Sequence, residues 1–284
     1  MTVLRSTVLP VLLGVLGVAA VAGTNALPPS AVDTAAVMAR VRAAIRTDEE
    51  LQQAFTYVEE RRDVKISKLG KVTLGPVRRF QVFPGGGESD TYKRLIAVDG
   101  VPLGPEELAR RDGEHERDLR EERARRARES ASDRKERLDR EAEERRTREA
   151  ILDDALAVFD ATSVNRADAD GAPVLVLTLK PRESARVTTR EGRWMKHFAG
   201  TIWVSEADHQ LVRFDMHAIE DVTIGWGIVG RLHEGTRVIA TRRLIDGVWL
   251  PTETSYSASG RTLLFRPFAF SAATRYSEYK RVSR

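Results

Sequence analysis

Apolar positions in the first part of the chain follow two different spacings. Between about 33 and 53 they recur at helix-like intervals behind Asp33 as an N-cap, which predicts an amphipathic helix. The apolar residues of this helix are Val37, Val41, Ala44, Ile45 and Leu51. The next stretch, 55–66, is rich in β-forming residues at its ends and charged in its middle, which predicts a strand with one wet face. Further strands are predicted at 77–83 and 92–98, so the chain opens with a helix and an antiparallel meander.

β-forming segments also fill the C-terminal half of the chain. Strands are predicted at 174–179, 198–205, 211–219, 237–244, 248–256 and 262–270, the last with a continuation to 279. Turn signals lie at Asp170-Gly171, Glu206-Ala207-Asp208-His209, Asp246-Gly247 and Ser259-Gly260. Short connections join antiparallel neighbours. The pattern therefore predicts an α+β fold with one broad, curved antiparallel sheet and helices on its concave face.

The segment from about 105 to 150 differs from both halves because Arg and Glu dominate it. Apolar residues at coiled-coil spacing are absent, and acid-first i,i+4 pairs take their place. These pairs are Glu121/Arg125, Glu122/Arg126, Glu136/Arg140, Glu141/Arg145 and Glu144/Arg148. We predict a solvated helical insertion with a weak point at 130–132, whose end docks on the core where apolar spacing returns at 151–159. The segment is either a spacer or partner-binding arm, or simply an exposed insertion.

The N-terminus has the three parts of a secretory signal. Arg5 supplies the positive charge, an apolar run extends over 8–22, and small residues at 20–22 permit cleavage after Ala22, or after Ala26. The alternative is an uncleaved membrane anchor, which requires about 20 apolar residues, more than the run at 8–22 provides. The signal predicts an exported, periplasmic protein with 31–284 as a single domain. Since the chain has no Cys, neither lipid attachment at a Cys nor a disulfide is expected.

Charge and motifs give no indication of catalysis or nucleic-acid binding. Lys and Arg number 46 and Asp and Glu 42, so the net charge of +4 is the small difference of two large numbers, and no nucleic-acid partner is expected. The five His residues include no pair at the spacing of a zinc helix, and no nucleophile elbow or phosphate loop occurs. We predict no catalytic residue, metal or cofactor. An enzyme acting on envelope polymers is one functional hypothesis, and it would need carboxylates or histidines that converge in a cleft.

Alternating apolar positions on the predicted C-terminal strands are the main candidate for a binding site. Between 211 and 219, residues 212, 214, 216 and 218 are apolar and those between them are polar, which gives the strand one apolar face. Either this face is an ordinary core under the helices, or it lines an apolar cavity for an acyl chain. The candidate lining residues are Ile202, Val204, Val212, Phe214, Met216, Val238 and Leu250.

The segment 222–230 is far more apolar than an ordinary loop. Its Trp and glycines suit a deformable loop at a lipid surface or at a protein partner. Alternatively, the segment pairs into the sheet as a buried strand with a bulge. The candidate contact residues are Ile224, Trp226, Ile228 and Val229.

Two segments carry a resemblance to a known family: Phe55-Thr56-Tyr57-Val58-Glu59, and the stretch 198–213, which reads FAGTIWVSEADHQLVR. The second resembles the strand–turn–strand of the periplasmic lipoprotein carriers, the LolA/LolB-like superfamily. The resemblance implies an unclosed β-barrel wrapped round helices, whose cavity receives the acyl chains of lipids or lipoproteins. The charged segment departs from that family, so no ligand-contacting arginine is carried over.

The leading hypothesis for the function is therefore a periplasmic lipid or lipoprotein carrier without catalysis, making peripheral contact with membranes. The alternative is a periplasmic sensor or scaffold that binds an envelope protein through the charged helix.

Overall fold

A computed structural model describes residues 25–26, 33–66, 71–85, 91–224, 230–262 and 266–282. The predicted signal sequence lies outside them except for Asn25 and Ala26. The fold is α+β, as the sequence predicts. The helices are α1 (Thr34–Ala44), α2 (Asp48–Gln52), α3 (Pro105–Ala127), α4 (Ala131–Val158) and α5 (Arg190–Met195).

The strands form one large antiparallel sheet that is not closed into a barrel. They are β1 (Asn25–Ala26), β2 (Phe55–Ile66), β3 (Val72–Phe83), β4 (Tyr92–Val98), β5 (Val101–Pro102), β6 (Phe159–Ala169), β7 (Ala172–Pro181), β8 (Phe198–Ser205), β9 (Leu211–Ala218), β10 (Val222–Ile224), β11 (Gly230–Leu232), β12 (Arg237–Ile245), β13 (Val248–Thr262) and β14 (Arg266–Arg281).

The order of the strands is β1-β6-β7-β8-β9-β12-β13-β14-β2-β3-β4-β5, with β10 and β11 as a side hairpin on β13. The last long strand, β14, therefore pairs with the first, β2, in the middle of the sheet.

The single helix predicted over 33–53 is two helices, because the sequence contains a second capping signal. Asp33 caps α1 as predicted, accepting a hydrogen bond from the backbone of Ala36. Ile45 then leaves the helical conformation, and Thr47 and Glu50 form a capping box that starts α2. The resulting break lets α1 and α2 cover different strands.

The charged segment forms helices α3 and α4, separated at Arg128–Ser130 near the predicted weak point. Ser130 accepts a hydrogen bond from the backbone of Asp133 and so caps α4. No residue of α3 is buried, and in α4 only Asp154 and Val158 are. The two helices connect β5 at one edge of the sheet with β6, the neighbour of β1 at the other edge. No helix in the described residues is both long enough and apolar enough to cross a membrane.

Most predicted strands are confirmed, whereas two elements were not predicted and one predicted turn is wrong. The predicted strands 55–66, 92–98 and 198–205 coincide with β2, β4 and β8. Strand β6 and helix α5 were missed. The predicted turn at Ser259-Gly260 is wrong, since both residues continue β13. A Cβ on Gly260 would collide with the carbonyl oxygen of Arg231, so this glycine serves the close approach of β11 rather than a turn.

The main core lies between α1 and strands β7, β8 and β9. Val37 and Val41 of α1 pack against it, and we call the face of the sheet that they cover the inner face. The core residues from the strands are Leu175, Leu177, Leu179, Ile202, Val204 and Met216. Leu51 of α2 extends this layer onto Phe55 and Leu250.

A buried carboxylate fastens the end of α4 to the start of α5. Asp154 accepts hydrogen bonds from the backbone N–H groups of Thr188 (3.0 Å) and Thr189 (2.7 Å), and from the Thr189 hydroxyl (2.6 Å). A Cβ on Gly192 would collide with this carboxylate. Burial would raise the pKa of Asp154, but the hydrogen bonds from Thr189 and Thr188 outweigh it and hold the pKa below the usual range. The clamp positions the chain that leads into β8.

Helix α3 docks on the opposite, outer face of the sheet. Along β4, Lys93 faces the inner side while Tyr92 and Arg94 face the outer side, because side chains alternate along a strand. Asp112 of α3 accepts a hydrogen bond from the Tyr92 hydroxyl (2.8 Å) and pairs with Arg94 (2.7 Å). His115 stacks on Tyr92 with ring centroids 3.9 Å apart. Helix α3 therefore lies on the outer face, whereas Lys93 of β4 lies on the inner face.

Candidate ligand site on the inner face

The inner face changes from apolar to cationic along one row of directly opposed residues. Directly opposed residues of antiparallel strands share a face. The pairing of the strands therefore shows which residues belong to this row. In order from β7 to β3, the row consists of Leu177, Ile202, Phe214, Ala240, Thr254, Thr274, Arg61 and Arg78. Its apolar end lies under α1, and its cationic end lies on β2 and β3.

The cationic end is built around a buried carboxylate, Glu59, on the inner face of β2. One carboxylate oxygen lies 2.6 Å from the ammonium of Lys93 and the other 3.1 Å from the guanidinium of Arg61. The Glu59 side chain is 3% exposed, whereas those of Arg61 and Lys93 are 42% and 40% exposed. The surface offered to solvent is therefore positive, with the negative charge beneath it.

Aromatic rings surround the Glu59 carboxylate. Tyr57, Phe80 and Tyr276 share its face of the sheet, and the Arg61 guanidinium lies 5.1 Å from the centre of the Phe80 ring. Burial, and then the charge of Glu59, raise the pKa of both Tyr57 and Tyr276 above the usual range for tyrosine. Asp48 adds a smaller contribution of the same sign to both, and the two phenols therefore stay neutral at physiological pH.

A second aromatic group lies on the inner face of β13 and β14. Tyr256 and Phe270 meet edge to face with centroids 5.3 Å apart, and Phe268 lies 5.9 Å from Phe270. The Phe268 ring packs over Gly260, where a Cβ would come within 2.9 Å of it. These three rings are only partly buried. They extend the apolar surface beyond the strands that α1 covers.

The structure brings together four of the seven predicted cavity residues. Ile202, Val204 and Met216 are buried in the main core, and Phe214 packs against it partly exposed. Val238 is opposite Met216 and is 1% exposed. Leu250 belongs to the neighbouring cluster under α2. Ile202, Val204, Phe214 and Met216 therefore belong to the core that α1 partly covers. Of these four, Phe214 is the one that is partly exposed to solvent.

Val212 points away from this group. The pairing register steps from Trp203↔Arg213 to Val204↔Leu211, so a bulge at Val212 interrupts the alternation. Its side chain packs with Val174 and Trp249 in a separate cluster. Val174 lies on the other face of β7 from Leu175 and Leu177, so Val212 belongs to the outer face.

The predicted contact loop falls mainly outside the described residues. Ile224 ends β10, and Trp226, Ile228 and Val229 lie in the stretch that the structure does not describe. The flanking strands β10 and β11 pair with each other, and β11 also pairs with β13.

Histidines and acids do not assemble a metal centre within the described ranges, where no three of them converge as ligands. His197 pairs with Glu220 at 2.8 Å and His233 with Asp221 at 3.3 Å, at the base of the β10–β11 hairpin. Asp221 also accepts a hydrogen bond from the backbone of Glu234, which with its neighbouring charges lowers its pKa. The His233–Asp221 pair therefore joins the two ends of the hairpin, whereas the His197–Glu220 pair joins the start of β8 to the residues after β9.

Sequence reasoning missed the Glu59 cluster. A charged run, 59–63, indicated only that one face of the strand was wet. Tyr57, Glu59 and Arg61 are spaced two residues apart, so on a strand their side chains lie on one face. This spacing was a usable signal, because it places a carboxylate between an aromatic ring and a cation. The partner Lys93 comes from a different strand and had no local signal.

No protein-family model, no curated protein and no solved structure matches this chain significantly. The similarity to periplasmic lipoprotein carriers therefore remains an expectation from the segments quoted above.

Proposed function

We propose that this protein is an exported, periplasmic carrier that binds an acyl chain of a lipid or lipoprotein on the inner face of its sheet, without catalysis. The observation that carries the proposal is the partly exposed aromatic and apolar surface of Phe214, Tyr256, Phe268 and Phe270, which continues the helix-covered core. Aromatic and aliphatic walls with a few polar groups are typical of sites for apolar ligands.

The fold supports this proposal in a second way. An open sheet with helices on its inner face is the architecture that the resemblance to LolA/LolB-like proteins implies. In this proposal α3 and most of α4 form a charged insertion, and the cleaved signal delivers the chain to the periplasm. The inner face can admit a chain at the side that α1 leaves uncovered.

Purification under native conditions tests the proposal. We expect lipid to copurify with the protein and a fluorescent acyl probe to bind after delipidation. Replacing Phe270 with alanine removes an inner-face ring and should weaken probe binding several-fold, since a buried aromatic contributes on the order of 1–3 kcal/mol. Phe83→Ala is the matched control, because Phe83 is exposed on the outer face of β3. A protein without copurifying lipid and without probe uptake contradicts the proposal.

The alternative, a scaffold that binds a protein partner through α3 and α4, is favoured by one observation. These helices carry a long charged surface, and no residue of α3 and only the C-terminal end of α4 is buried. Deletion of Glu106–Arg148 separates the two functions: a scaffold loses its partner, whereas a carrier keeps its affinity for the acyl probe.

A further inference from the structure

Glu59 pairs with two cations, Arg61 and Lys93, so this group of three side chains carries an excess of one positive charge. Because Glu59 is buried while its partners are about two-fifths exposed, an approaching molecule meets the cations first. The carboxylate holds the two cationic groups in place before a ligand arrives, which lowers the entropic cost of binding.

The cations lie at a fixed distance from the apolar end of the same face. From Phe214 on β9 to Arg61 on β2 there are four strand spacings of about 4.8 Å, or roughly 19 Å along the sheet. One acyl chain spans about 15 Å in a bilayer, half of the hydrocarbon thickness. Ala240, Thr254 and Thr274 lie between the two ends and present no charge. A molecule with an anionic head and one tail matches this surface in charge order and in length.

We propose that the ligand is an anionic amphiphile whose negatively charged headgroup binds Arg61 and Lys93 on the inner face, with its tail directed past Thr274 and Thr254, beside the Tyr256–Phe270 pair, towards Phe214. This inference rests on the proposed function and adds the chemical class of the ligand. Guanidinium and ammonium donors form charge-assisted hydrogen bonds with a carboxylate or phosphate. A zwitterionic or neutral headgroup would leave the excess positive charge uncompensated.

Two probes with the same tail test the headgroup: anthroyloxy-labelled stearic acid and its methyl ester, with the purified full chain at pH 8. We expect the acid to bind about tenfold more tightly, the ratio of one charge-assisted contact. Arg61→Gln should reduce that preference to about twofold without changing the affinity for the ester. Arg62→Gln is the matched control, because Arg62 is the neighbouring cation on the opposite, outer face of β2.

Lys93→Gln provides a second variant in case Arg61→Gln fails to fold, which circular dichroism and urea unfolding monitor. It should reduce the preference for the acid in the same way. Anionic phosphatidylglycerol should displace the acid better than phosphatidylcholine, and inorganic phosphate alone should not displace it.

The possible outcomes separate the inference from the proposed function. If neither probe binds, the carrier function itself fails. If both probes bind equally well and Arg61→Gln changes neither affinity, the acyl site stands and the anionic headgroup is refuted. Displacement by inorganic phosphate alone would also refute it, because the site would then bind phosphate without a tail.

Discussion

Replacing Asp154 with alanine removes the acceptor that joins α4 to the chain before α5. Three short hydrogen bonds end on this 4%-exposed residue, from the amides of Thr188 and Thr189 and from the Thr189 hydroxyl. A hydrogen bond to a charged group contributes about 1.5–3 kcal/mol, and such contributions do not add fully. Because water can enter the vacated space and satisfy part of the donors, we expect a loss of about 3 kcal/mol in the free energy of unfolding.

Urea unfolding, followed by tryptophan fluorescence and far-ultraviolet circular dichroism, measures this loss as a lower midpoint at unchanged slope. Asp153→Ala is the matched control, since the adjacent Asp153 side chain is 67% exposed and pairs with Arg42 at the surface. Such a surface ion pair contributes about 0–1 kcal/mol. If the two variants differ by less than about 0.5 kcal/mol, which is below the smallest contribution expected here, the clamp does not stabilise the fold and the reasoning is refuted.

The effect of pH gives an independent check with a definite sign. Because the pKa of Asp154 is lowered in the folded protein, its stabilising contribution is present above the unfolded-state pKa of about 4 and is lost as the pH falls through the folded pKa. The difference between the wild type and Asp154→Ala should therefore be constant from about pH 7 to 5 and shrink below about pH 4. A difference that grows on acidification would contradict the assigned direction.

Three further predictions concern single contacts. Gly192→Ala forces a methyl group against the Asp154 carboxylate and should cost about 1–3 kcal/mol in urea unfolding; a neutral result would show that α5 shifts freely. Tyr92→Phe removes the hydrogen bond to Asp112 and should accelerate hydrogen exchange in α3 alone, by the equivalent of about 1 kcal/mol. Burial, and then that hydrogen bond, raise the pKa of Tyr92 to about 12, so the contact should persist at pH 10 and be lost as the pH rises further. Arg137→Ala breaks an ion pair with Glu129 in the α3–α4 connection and another with Glu141 within α4, and should increase exchange there while leaving the urea midpoint unchanged within about 0.5 kcal/mol; a large midpoint shift would mean that the charged helices support the core.

Elements with a strong local signal were predictable from the sequence. The alternation of 198–205, and the turns at Asp170-Gly171 and Asp246-Gly247, depend on neighbouring residues, and both turns adopt the positive φ angles that such dipeptides favour. The capping box at Thr47 was equally local, but a continuous apolar spacing concealed it. Strand β6 was missed because its residues 159–169 continue a helical pattern and alternate only weakly.

The candidate site was less predictable because it depends on register between distant strands. Arg61 faces Thr274, and Glu59 meets Lys93 across β3, so neither neighbour follows from nearby sequence. The bulge at Val212 shows the same limit on a smaller scale, since one extra residue moved its side chain to the other face. Sequence pattern indicates which residues are apolar, whereas pairing decides which of them meet.

The pairing of β14 with β2 has a consequence for how the chain folds. Phe55 lies opposite Arg281, so the strands β2 to β5 can join the rest of the sheet only after almost the whole chain is available. Contacts between residues so far apart in sequence slow folding, because the loop must be closed before the contacts compensate for its entropy. Until then the early meander presents unpaired strand edges, which are prone to aggregation. A chain emerging N-terminus first would therefore depend on a holding factor, or on fast release, until its final strand arrives.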